Sequence, residues 1–68
     1  MIFKFNVEYA NIEEIIETFK NEYDILFLSQ SFYIARKDDK QETSKDIRKK
    51  LNKYDNLHIQ ELNEQNLQ

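Results

Sequence analysis

Few side chains in this 68-residue chain are of a type that does chemistry. There is no cysteine, which excludes disulfides, thiolate metal sites and thiol nucleophiles. There is no glycine, which excludes every phosphate cradle built on a glycine-rich loop. A single histidine, His58, rules out a two-histidine metal site. Ser29 and Ser31 have no base partner at a recognisable spacing. Glu8 ends an alternating apolar stretch, and one such carboxylate from each of two copies is a geometry that holds magnesium. Without a second acidic ligand, Glu8 reads as a surface residue. No catalytic, cofactor-binding or metal-ligating residue is assigned, and no cofactor is expected. If the chain were an enzyme, metal-dependent nuclease would be the class.

Charge offers binding chemistry instead. Residues 1–24 hold six acids and two bases, residues 25–54 eight bases and four acids, and residues 55–68 three acids. The blocks carry −4, +4 and −3, which sum to the net −3. Such a polarised chain steers partners. Glu13, Glu14, Glu17 and Glu22 form the acidic surface. Lys45, Arg48, Lys49, Lys50 and Lys53 form a basic helix that can grip phosphates without sequence preference. The overall pI near 5.0 makes nucleic acid the secondary partner and a protein the primary one.

The elements that must position these groups follow from periodicity. Phe3, Phe5, Val7 and Tyr9 alternate with Ile2, Lys4, Asn6 and Glu8, the pattern of a half-buried strand. Asn11 with Glu14 makes a capping-box pattern. Ile12, Ile15, Ile16, Phe19 and Tyr23 then fall on one helical stripe. Residues 25–28 are apolar at every position and residues 32–36 resume after Ser29-Gln30-Ser31, which predicts a hairpin. No Asn-Gly turn sets its register, and a bulge is an option. Thr43 or Ser44 caps a second helix carrying Ile47, Leu51 and Tyr54. Asp55-Asn56 turns the chain into a last strand over 57–60.

The order βαββαβ predicts an α+β fold: one ferredoxin-like sandwich over residues 1–62, with an antiparallel sheet of order 4-1-3-2 and both helices on one face. Residues 63–68 read as a polar tail. The expected core is Phe3, Phe5, Val7, Ile12, Ile15, Ile16, Phe19, Leu26, Leu28, Phe32, Ile34, Ile47, Leu51, Leu57 and Ile59. Leu26 and Leu28 compete with Ile25 and Phe27 for the buried side. The uncovered sheet face is expected to show Ile2, Ile25, Phe27, Tyr33 and His58. Such a face is too apolar for plain solvated surface, so it reads as an interface. A two-fold homodimer through this face or its edge strands is the expected assembly. No apolar run approaches the ~20 residues of a membrane helix, no secretory leader is evident, and a cytoplasmic location is expected.

The stretch from Asp24 to Arg36, followed by Ser44-Lys-Asp-Ile-Arg-Lys-Lys-Leu51 and Asp55-Asn-Leu-His-Ile-Gln-Glu-Leu62, resembles the SinR-like group, relatives of the small CRISPR spacer-integration subunit. The resemblance implies a ferredoxin-like homodimer and, in some members, metal-dependent nuclease or nucleic-acid-scaffold activity. The family's metal-binding Asp ends the first strand. Here that stretch is Asn6-Val-Glu-Tyr9, and Glu8 is the nearest acid. The first functional expectation is therefore a small non-catalytic protein-interaction module, of the kind a phage or mobile element uses to inhibit a nucleic-acid-processing complex (anti-CRISPR-like). The alternatives are a nuclease-like or nucleic-acid scaffold and a structural subunit of a larger assembly.

Overall fold

The structure, a computed structural model, describes residues 1–6, 12–54 and 57–62. Within them the chain runs β1 (Ile2–Asn6), α1 (Ile12–Phe19), β2 (Tyr23–Leu28), β3 (Ser31–Arg36), α2 (Ser44–Lys50) and β4 (Gln60–Leu62). This is an α+β fold with a four-stranded sheet in which every pairing is antiparallel. The strand order is β2-β3-β1-β4, which reads 4-1-3-2 from the opposite edge.

The alternation in β1 does what period two requires. Phe3 and Phe5 are 2% and 1% exposed, and Lys4 between them faces the other way. They join Ile15 and Phe19 of α1, Phe32 and Ile34 of β3, Ile47, Leu51 and Leu57 in one core. Aromatic rings organise it. Phe5 stacks on Phe32 with centroids 5.5 Å apart, and Phe19 meets the edge of Tyr23 at 5.2 Å. Burying each such ring contributes about 2–3 kcal/mol, which matters in a chain this small.

α1 buries a narrower stripe than its sequence suggests. Ile15 and Phe19 are fully enclosed, whereas Ile12 and Ile16 remain 43% and 37% exposed. Tyr23 is not the last position of that stripe. The helix ends at Phe19, the Glu22 N–H closes a turn onto the Phe19 carbonyl at 3.2 Å, and Tyr23 opens β2. It still reaches the core, at 1% exposure, because it enters on the inward side of the sheet.

The β2–β3 register settles the hairpin. Pairing runs without a bulge from Tyr23 opposite Arg36 to Leu28 opposite Ser31. Ser29 and Gln30 make the two-residue turn at φ 51° and 66°, the left-handed pair that type I′ requires and that Asn-Gly normally supplies. Ile25 opposes the core residue Ile34, and Phe27 opposes Phe32, with ring centroids 4.6 Å apart. Ile25 and Phe27 therefore lie on the helix side, and Leu26 and Leu28 on the open side. This corrects the expected core and the expected face together. Leu26 and Leu28 are each 56% exposed. Phe27, at the rim of the helix side, is 42% exposed despite its contact with Phe32.

α2 is capped by Thr43, whose N–H donates to Asp46 Oδ2 at 2.8 Å in a capping box. That backbone hydrogen bond is the main cause that lowers the Asp46 carboxyl below its ordinary range. The last strand lies at 60–62 rather than 57–60, because β1 pairs Ile2 with Leu62 and Lys4 with Gln60. The Ser44 N–H donates to Glu61 Oε1 at 2.8 Å and ties this strand to the start of α2. Leu57 and Ile59 still pack on the core, ahead of the ladder. The expectations for Val7, Glu8, the Asn11 cap, the Asp55-Asn56 turn and the 63–68 tail lie outside the described residues.

Candidate functional site

The sheet side without helices is built row by row from the register. One row sets Gln60, Lys4, Tyr33 and Leu26 side by side; another sets Asn6, Ser31 and Leu28 together. Ile2 lies beside Leu62 at the far end. The Lys4 ammonium sits 5.6 Å from the Tyr33 ring centroid, a cation–π contact. The buried Ser31 hydroxyl donates to Asn6 Oδ1, so the polar row is satisfied within the sheet. Leu26 and Leu28 have no such neighbour and stand half out of the surface.

Of the expected face residues, Ile2 and Tyr33 lie on this side, each half-buried. Ile25 and Phe27 do not, as the register shows. His58 is exposed but precedes β4, so it belongs to the connection and not to the sheet. The sequence reading missed Leu26 and Leu28. Reading Ser29-Gln30 as a two-residue turn would have found them, because it places Leu28 opposite Ser31 and fixes the parity of the whole strand.

At the other end of the same hairpin, Arg36 points to the helix side, in line with Phe32 and Ile34. A charge there must be paired. Its guanidinium makes a fork with Asp38, Nε to Oδ1 at 2.7 Å and Nη2 to Oδ2 at 2.9 Å. Nη2 also donates to Glu22 at 3.2 Å, and Nη1 lies 3.4 Å from both Tyr23 Oη and Glu42 Oε1. The Tyr23 hydroxyl donates to Glu42, whose side chain is 7% exposed. Burial first, and then that carboxylate, push the Tyr23 phenol up to about 12. The Arg36 hydrogen bonds hold the Asp38 carboxyl well below its usual range, and Asp38 keeps Arg36 protonated far beyond neutral pH. An open depression of about 340 Å³ runs beside this cluster, lined by Met1, Ala35, Arg36 and residues 38–42. Its strongest polar groups already bond one another.

The two charged surfaces are partly neutralised from within. Glu14 pairs with Lys53, Glu17 with Lys20 at 2.8 Å, and Glu22 with Arg36. Arg48 Nη2 donates to the Leu57 carbonyl at 3.0 Å, closing the path after α2. Lys45, Lys49 and Lys50 are exposed and make no salt bridge among the described residues. Among the described residues, no three His, Asp or Glu side chains gather at metal-binding distance, and no helix is long and apolar enough to cross a membrane.

No family model, curated protein or solved structure matches this chain.

Proposed function

We propose that the chain is a small protein-interaction module that docks through its open sheet face. The supporting observation is the exposure of Leu26 and Leu28, 56% each, with Tyr33 beside Leu26 on the side that no helix covers. Leaving two leucines half in water wins nothing for the isolated fold, whereas a partner would gain about 25 cal/mol for each Å² it covers. We read the βαββαβ order and this sheet as a ferredoxin-like sandwich, a scaffold that leaves one face free for such contacts.

An inhibitor of a nucleic-acid-processing complex, of phage or mobile-element origin, is one version of this reading. It adds an acidic surface to the apolar one. The internal pairing of Glu14, Glu17 and Glu22 leaves the apolar face as the stronger feature. The test is co-purification from the native host with two double variants. Leu28→Lys with Tyr33→Lys should lose a partner that the wild type captures, while Glu13→Lys with Glu17→Lys keeps it. The opposite result, with both proteins folded by circular dichroism, would favour the acidic surface. Equal capture by all three proteins refutes the open-face reading.

A further inference from the structure

β2 is an edge strand, and among the described residues no strand pairs with its outer side. Natural edges are blunted by lysine, proline, a bulge or shortness. β4, at the opposite edge, spans three of the described residues and carries Gln60 and Glu61. β2 spans six residues, Tyr23-Asp24-Ile25-Leu26-Phe27-Leu28, with no lysine, no proline and no bulge. Its turn-proximal half, Leu26, Phe27 and Leu28, is 56%, 42% and 56% exposed, so apolar surface shows on both sides of the same edge.

We propose that a second copy of this chain pairs here, β2 against β2, antiparallel about a two-fold axis normal to the sheet, to give one continuous eight-stranded sheet. This goes beyond the open-face reading, because it rests on the edge backbone and does not need the face to bind anything. A second copy fits for three reasons. A two-fold axis through Phe27 sets Leu26 opposite Leu28 of the other copy and Phe27 opposite itself, so the apolar half meets its own image. The strand's only charge is Asp24. In that register the two Asp24 residues stand on the order of 20 Å apart, which avoids like-charge contact. A two-fold contact uses the β2 edge of both copies, so the assembly closes at two. Two copies of three half-exposed apolar side chains supply on the order of 500 Å², and the paired backbones raise this toward the ~1,000 Å² that a specific interface must clear. A reversible, micromolar dimer is the expected strength.

The cysteine-free chain allows a clean test. Leu26→Cys, Leu28→Cys, Lys4→Cys and Tyr33→Cys are each oxidised alone and in mixtures, and covalent dimers are read on a denaturing gel. Edge pairing gives cross-links at Leu26 and Leu28, strongest for the mixture of the two, and none at Lys4 or Tyr33. Sedimentation equilibrium should show a dimer that Phe27→Lys weakens at least tenfold. Because Phe27→Lys also disturbs the Phe32 contact, hydrogen exchange of the wild type provides a second readout. Outward-facing amides within residues 26–28 should gain protection as concentration rises. A monomer at millimolar concentration, or cross-links at Tyr33 with none on β2, overturns the edge dimer. A monomer leaves the open-face reading as it stands, whereas cross-links at Tyr33 alone would favour a contact through the open face.

Discussion

The two ends of the β2–β3 hairpin solve opposite problems. At the Tyr23–Arg36 end, polar groups enter the helix side and satisfy one another. One guanidinium serves Asp38, Glu22, Glu42 and the Tyr23 hydroxyl, and its own side chain is 9% exposed. At the Leu28–Ser31 end, apolar groups stand in solvent and the polar pair, Ser31 with Asn6, is the part that is satisfied. The first end is complete without a partner. The second gains only when something covers it. A closed polar network therefore speaks for stability, and an uncovered apolar edge speaks for association.

The sharpest way to break this contrast is to truncate one residue at each end. Tyr23→Ala removes a core ring together with the partner of Glu42 and Arg36, and should cost about 3–5 kcal/mol in urea unfolding, enough to unfold much of a domain this size. Leu26→Ala should stay within about 0.5 kcal/mol at concentrations where the chain is monomeric. Similar costs at both ends would erase the distinction.

Alkaline titration isolates the closed end. Because the folded-state Tyr23 phenol is pushed up to about 12 from 10.0, the folded chain holds its proton longer than the unfolded chain. Its contribution is fully present below pH 10 and is lost as pH rises toward 12. The loss is on the order of 2–3 kcal/mol. Tyr23→Phe should flatten that part of the stability curve; an unchanged slope between pH 10 and 12 would show that neither burial nor Glu42 shifts the phenol.

The turn itself sharpens the other end. Ser29 and Gln30 hold left-handed backbone that costs a non-glycine residue about 1 kcal/mol. Replacing the pair by Asn-Gly should raise stability by about 1 kcal/mol while leaving the β2–β3 cross-strand contacts unchanged by NMR. No gain would mean that the turn is not type I′. The smallest effect is at low pH. Asp38 is held below its ordinary range by Arg36, so its contribution is present above about pH 4 and fades as pH falls further. Asp38 is exposed, so solvent screens the effect, and Asp38→Asn should raise the pH midpoint of acid unfolding only slightly.

Local periodicity by itself determined much of this protein. The strict alternation at Phe3 and Phe5 sets which side of β1 is buried, and the helical spacing of Ile15 with Phe19 and of Ile47 with Leu51 marks the faces that α1 and α2 present to the core. These are short-range patterns in which each position has an apolar or a polar identity to read. Tertiary structure alone decided the parity of β2, because Ile25 to Leu28 is apolar at every position and hydrophobicity offers no preference between its two sides; the pairing with β3 makes the choice. It also decided the fate of the charges. Arg36 meets Glu22 from 14 residues before it, and Glu14 meets Lys53, across separations at which no sequence pattern reports distance. Glu61 likewise accepts from the Ser44 N–H, 17 residues earlier, and β4 takes its place at 60–62 by pairing with β1.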